Sequence, residues 1–249
     1  MEKIVADEVI LRMYPTLNEC VHHESEIYKM GDDVLYKVLL YDNRLMRERT
    51  VRELGNYSNS FCCLPSGILY NENDEFIGLS MKYLKKYRNS DKIIFGDLSY
   101  KEKLLVARNV ASAIEKLIND GILYWDVHFD NILYDMDGNI KVIDMDSVRF
   151  KSDYKPGGFE SRTYDSYRLA TEVILSYISK MNIMELTRSI GEDELLEVLN
   201  TVFDGEMITL LNSVFGYSSE IVPPSQILDS VHESDLIKLR KNMMKKFIK

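Results

Sequence analysis

Cysteine is scarce in this chain: three residues in 249, two of them adjacent at Cys62 and Cys63. So few give no disulfide framework and no metal-ligand spacing, which suits a reducing cytoplasm. There is no run of about 18 consecutive apolar residues, so no transmembrane segment is expected. The opening residues carry acids early and no long apolar stretch, so no signal peptide is expected either. Basic residues are outnumbered, 31 Lys and Arg against 40 Asp and Glu, for a net charge of −9. Without a basic excess the chain is a poor generic nucleic-acid binder. Internal repeats and low-complexity tracts are also missing. What is present is ordinary globular composition, 45% apolar and 29% charged. The length suffices for one sizeable domain or two small lobes.

The first third reads as strand-rich with one helix. Ile27–Met30 and Val34–Leu40 read as strands around Gly31-Asp32-Asp33, and 67–70 and 76–83 as a second hairpin. Between them, 44–57 reads as a charged helix ending near Gly55. Residues 1–20 carry no clear signal, and 85–98 read as a linker. Ser99 and Glu102 then form a capping box. The helix that follows has Leu104, Ala107, Ala111, Ile114 and Ile118 at steps of three and four. Residues 156–158 read as loop, about 164–179 as a helix, and 184–249 as mostly helical with a break at Pro223-Pro224.

The most informative stretch is 124–146. Asp126 precedes Asn131 by five positions, and Asp144 follows thirteen later. Ile132-Leu133-Tyr134 and Ile140-Lys141-Val142-Ile143 flank Asp137-Gly138, a two-residue hairpin signal. That turn pairs Met136 with Asn139 and Leu133 with Val142, and sets Asn131 opposite Asp144. Opposed residues on an antiparallel pair have Cβ atoms about 5 Å apart. An amide oxygen and a carboxylate so placed suit Mg²⁺, which takes one or two carboxylates and leaves room for phosphates and water.

This pattern resembles the protein-kinase-like superfamily, whose catalytic loop reads H-R-D-x-x-x-x-N and whose metal motif reads D-F-G. The counterparts here are Tyr124-Trp125-Asp126 through Asn131, and Asp144-Met145-Asp146. Val34-Leu35-Tyr36-Lys37 is similar to the V-A-I-K strand. Leu79 to Leu84 is similar to the strand entering the hinge, with Met81 at the gatekeeper place, and Asp165 opens the counterpart of the long C-lobe helix. The resemblance covers about residues 25 to 180. It implies an α+β, two-lobed kinase-like fold, with a small β-rich N-lobe over 1–84 and a mainly helical, reduced C-lobe over 85–249. It implies ATP and Mg²⁺ as cofactors, with adenine bonded to the backbone of Lys82, Tyr83 and Leu84. Lys37 would grip the phosphates and pair with a helix glutamate, Glu48 or Glu53. Glu48 is preferred because its i+3 neighbour, Val51, is apolar. Asn131 and Asp144 would hold Mg²⁺, with Asp146 as a further metal contact. Asp126 would be the catalytic residue that orients the acceptor hydroxyl. Asp165 would bind amides of the catalytic loop.

The departures are informative. Trp125 replaces the Arg that pairs with a phosphorylated activation segment, so that switch is expected to be missing. No glycine-rich phosphate loop is visible at Val21 to Glu26, and A-P-E is absent. Asp144 to Asp165 spans only 21 positions. His128 and the D-x-D at 144–146 are closer to atypical bacterial, effector-type and small-molecule kinases. The expected function is a protein Ser/Thr kinase. The alternatives are a small-molecule kinase of aminoglycoside type and a pseudokinase scaffold. The expected location is the cytoplasm, or a host cytoplasm for an effector. The C-terminal residues Lys238, Arg240, Lys241, Lys245, Lys246 and Lys249 alternate with apolar ones. They read first as a packed amphipathic helix and second as a surface for an anionic membrane or acidic partner.

Overall fold

The computed structural model describes residues 1–17, 24–203, 205–216 and 221–247. In chain order the elements are β1 (Glu2–Val5), α1 (Glu8–Leu11), β2 (Ser25–Lys29), β3 (Val34–Leu39), α2 (Tyr41–Leu54), β4 (Pro65–Tyr70) and β5 (Phe76–Lys82). Next come β6 (Arg88–Asn89), α3 (Asp91–Phe95), α4 (Tyr100–Asn119), β7 (Ile122–Leu123), β8 (Ile132–Tyr134), β9 (Ile140–Val142) and β10 (Arg149–Phe150). Helices α5 (Gly158–Ser179), α6 (Ile183–Ile190), α7 (Glu192–Val202), α8 (Gly205–Phe215), α9 (Pro224–Ser230) and α10 (Glu233–Phe247) complete the chain. The class is α+β. Two compact units divide it: residues 1–87 with 141–148, and residues 88–140 with 149–249. Among the described residues no helix is long and apolar enough to cross a membrane.

The first unit is built on a mixed sheet of order β1-β4-β5-β3-β2, with β1 parallel to β4 and the other neighbours antiparallel. Successive strand residues point to opposite faces. Ile68, Tyr70, Phe76, Leu79 and Leu39 join Val51 of α2 on one face. Leu69, Ile77, Val38 and Tyr28 join Ala6 and Leu11 on the other. Cover on both sides explains why these strands read as continuous apolar runs rather than as alternation. Lys37 alternates with Val38, so it shares the α2 face with Leu39. Gly78 sits beside this lysine in the central strand. A Cβ there would lie 2.0 Å from the Lys37 carbonyl oxygen, so only glycine lets β5 lie against β3 at this point.

Residues 1–11, without clear signal in the sequence, supply the edge strand β1 and the short helix α1. Residues 141–148 attach to the first unit through backbone. Val142 N–H donates to Phe61 O and Cys63 N–H to Val142 O, both at 2.8 Å. Cys62 and Cys63 are both buried and form no disulfide with each other.

The second unit centres on α4 packed against α5. Ser99 caps α4 by the expected capping box with Glu102. Its buried stripe is Lys103, Val106, Ala107, Val110, Ala111, Ala113, Ile114 and Leu117. The predicted stripe therefore ran along one edge of the true face, leaving Leu104 and Ile118 only half-buried. Helix α5 starts at Gly158, six residues before the predicted Tyr164, with Gly157 at φ +80° ahead of it. The predicted linker 85–98 instead holds β6 and α3.

The turn after β8 differs from expectation. Asp135 N–H donates to Asn139 O at 3.0 Å, closing a three-residue loop of Met136, Asp137 and Gly138. The Asp135 carboxylate accepts the N–H groups of Asp137 and Asn139 at 3.0 and 2.9 Å. Gly138 takes the left-handed conformation, φ +81°. This Asx turn moves the pairing by one residue, from Met136–Asn139 to Asp135–Asn139.

Candidate active site

The sequence-predicted residues fall into two clusters, one in each unit. In the first, β3 carries Lys37 into the α2 face of the sheet, where it is 5% exposed. Its ammonium bonds Asp144 Oδ1 and, at 2.7 Å, Asp146 Oδ1. Asp146 Oδ2 takes Arg47 of α2 at 2.7 Å, and Arg47 also reaches Glu24 at 2.6 Å. Two cations thus face two carboxylates within one water-poor pocket. Burial alone would push Lys37 to shed its proton, but Asp146 and Asp144 outweigh it and hold Lys37 above its ordinary value. Burial raises Asp144, and Lys37 only partly offsets that. Burial works against Asp146 too, yet Lys37 and Arg47 together hold it down at about 2. Asp144 itself is in the left-handed region, φ +60° and ψ +37°. Such a conformation in a non-glycine residue stores strain of about 1–3 kcal/mol and concentrates at functional sites.

Two expectations are corrected here. Glu48 does not meet Lys37. Its carboxylate takes Arg52 at 2.8 Å and the Tyr70 hydroxyl at 2.9 Å, and Glu53 pairs with Arg49 at 2.6 Å. Asp146 supplies the second acid for Lys37, and α2 supplies a cation, Arg47, in place of a glutamate. A signal for Arg47 was present, because it precedes Val51 by four and Leu54 by seven, on the buried face of α2. Glu48 lies one step off that stripe. The second correction concerns Asp146 as a metal ligand. Both its oxygens are committed to Lys37 and Arg47, and its side chain is only 2% exposed. Asp144, with its side chain 27% exposed, is the carboxylate of this cluster that fits Mg²⁺. Among the described residues no three His, Cys, Asp or Glu side chains form a self-sufficient metal cage. A Mg²⁺ on one carboxylate draws its other oxygens from phosphate and water.

The hinge counterpart is partly committed. Met81 pairs with Leu35 and Pro65 and packs, half-buried, on the core. Tyr83 N–H donates to Asp33 O at 2.8 Å, and Lys82 O accepts the Cys63 thiol at 3.7 Å. Leu84 N–H has no hydrogen-bond partner among the described residues. Of the expected phosphate-loop segment, Val21, His22 and His23 lie outside the described residues.

The second cluster sits on the loop between β7 and β8. Tyr124 and Val127 are buried at 0% and 1% and pin the loop on either side of Asp126. Ser166 Oγ of α5 donates to Tyr124 O at 2.6 Å. That anchor was expected of the neighbouring Asp165, which instead faces outward to Arg162 at 3.3 Å. Trp125 is exposed and lies 5.5 Å from the Arg149 guanidinium. The Asp126 side chain is 46% exposed, so it is open to solvent. Asn131 Nδ2 donates to Asp126 Oδ2 at 2.9 Å and to Asp126 O at 3.1 Å. These bonds orient the carboxylate. His128 Nε2 lies 3.3 Å from Asp126 Oδ1 and 2.9 Å from Asn131 Nδ2. The Asp130 N–H donates to His128 Nδ1 at 3.3 Å. A recess of about 370 Å³ opens beside them, lined by Asp126, His128, Asp130, Asn182, Glu185 and Arg188 among others. The arrangement can hold a hydroxyl against an oriented, accessible carboxylate. No protein-family model matches the chain, and no curated protein matches it.

Proposed function

We propose that the chain is an ATP- and Mg²⁺-dependent phosphotransferase of two-lobed, protein-kinase-like fold, acting on a protein Ser or Thr hydroxyl. The supporting observation is the ion pair of Lys37 with Asp144. Motif spacing singled out these two residues, 107 positions apart, for the phosphates and the metal of one nucleotide. In this reading Lys37 binds the ATP phosphates. Asp144 holds the Mg²⁺ that neutralises charge on the transferred group, with the other oxygens coming from phosphate and water. Leu84 N–H meets the adenine. Asp126, held by Asn131, orients the acceptor hydroxyl. Phosphoryl transfer asks the protein mainly for positioning and charge neutralisation, so one oriented loop carboxylate suffices.

The test is turnover of labelled ATP with Mg²⁺, scored on the protein itself and on a generic protein acceptor. Transfer that disappears in Asp126→Asn and Asp144→Asn is the expected result. Undiminished transfer in both variants would refute the assignment, and failure of ATP with Mg²⁺ to raise the unfolding midpoint would favour a binding scaffold.

A second reading, a kinase of small cationic molecules, draws support from the recess beside Asp126. Asp126, Asp130 and Glu185 face a single cation there, Arg188. Label transferred to an aminoglycoside and not to protein would select it.

A further inference from the structure

A second cavity of the second unit, about 750 Å³, lies where the end of α5 meets α10. Lys180, Arg240, Lys241 and Lys245 line it against one carboxylate, Glu233. None of these four cations has an ion-pair partner among the described residues. In a chain of net charge −9, four unneutralised cations around one cavity run against the general field. Lys103 is fully buried, and its ammonium is held by the carbonyls of Ile93 and Ile94. Burial, and then Lys180 and Arg240, push it down to about 8. Ser179 of the cavity wall has a buried hydroxyl with no hydrogen-bond partner among the described residues, which leaves one donor uncommitted. Ile178, Leu236 and Ile237 add an apolar side to the lining beside Tyr100, and Ile237 stands 65% exposed. The cavity therefore pairs a cationic rim with an apolar wall.

We propose that this cavity binds one organic phosphate, its phosphomonoester head among Lys180, Arg240, Lys241 and Lys245 and its apolar body on Ile178, Leu236 and Ile237. A phosphomonoester carries about −1.5 to −2 charges at neutral pH and three strong acceptor oxygens, which suits several separate ammonium and guanidinium donors better than a carboxylate does. The volume falls within the range of about 300–1,000 Å³ that holds one small ligand. The same chemistry comes from a soluble phosphorylated metabolite or from a lipid phosphate.

The experiment is isothermal titration of the full chain with hexyl phosphate, short-chain phosphatidic acid, short-chain phosphatidylcholine and inorganic phosphate. An amphiphilic phosphate should bind at least about tenfold more tightly than inorganic phosphate, and phosphatidylcholine should not bind. Hexyl phosphate as the tighter ligand assigns a soluble source, and phosphatidic acid as the tighter one assigns a lipid source. The double variant Arg240→Gln with Lys241→Gln should weaken binding by about tenfold or more, with an unchanged unfolding midpoint. Ile237→Asn should weaken the amphiphile and leave inorganic phosphate unaffected. The proposal is overturned by no binding, by equal binding of all phosphates, or by full affinity in the double variant. It is also overturned if only vesicles of phosphatidic acid in phosphatidylcholine bind, because the face would then dock on a membrane.

Discussion

In the first unit Lys37, Arg47, Asp144 and Asp146 neutralise one another, with Asp144 alone more than a quarter exposed. In the second, Asn131 and His128 hold an Asp126 that stays nearly half exposed. The difference separates two uses of charge. The first cluster fixes where α2 and the 145–147 turn lie, because a buried charge without its counter-charge is expensive. The second spends its hydrogen bonds on aiming one carboxylate and leaves that carboxylate reachable. Mutations in the first cluster should therefore cost stability as well as transfer, and mutations of Asp126 should cost mainly transfer.

The largest expected effect lies in the buried cluster. Lys37→Met or Arg47→Ala leaves a buried carboxylate short of a cation and should cost about 3–5 kcal/mol in chemical denaturation. Glu48→Ala, removing an exposed pair, should cost less than about 1 kcal/mol. Equal losses for Arg47 and Glu48 would break the comparison. Next comes Asp126→Asn, which should lower phosphoryl transfer by about 10²–10⁴ while stability stays within about 0.5 kcal/mol. An Asp126→Asn protein that transfers normally but melts early would reverse the roles given to the two clusters.

The smallest effects are in pH dependence, and their signs oppose. Asp146 titrates at about 2 in the fold against 3.8 ordinarily. Its contribution is complete above the ordinary value and fades as pH falls toward the lower one, since the unfolded chain takes up the proton first. Glu172 of α5 is the reverse case. It is buried, with Arg168 at 3.3 Å and with Glu192 sharing that arginine. Burial, only partly offset by Arg168, raises it to about 7 from 4.5. Across that window the fold keeps a proton that the unfolded chain releases, so stability falls as pH rises. Denaturation midpoints at pH 5 and pH 7 should show this slope in the native chain and lose it in Glu172→Gln.

Local signals carried much of this into the sequence. The Ser99–Glu102 capping box, the strands flanking Gly31-Asp32-Asp33 and the proline break before α9 are short-range devices, and each appears where its residues are. Motif spacing singled out Lys37 and Asp144, though nothing local says that they touch. What was not legible depended on competition between similar residues. Asp135 captures the turn that Asp137-Gly138 advertises, because its carboxylate reaches two amides at once. Arg47 displaces Glu48 because the buried face of α2 is set by Val51 and Leu54 together, and one i+3 neighbour does not define it. Asp146 stands where the resemblance expects glycine, and its role emerges only once both cations are in place around it.

Gly78 bears on how far such a molecule can be altered. It has no side chain and takes no part in any chemistry, yet the sheet leaves no room at that point for even a methyl group. A replacement there would pry two adjacent strands apart and carry the lysine with them, away from its acids. The buried ion pair would then be lost through a residue that carries no reactive group, although every charged partner is still present.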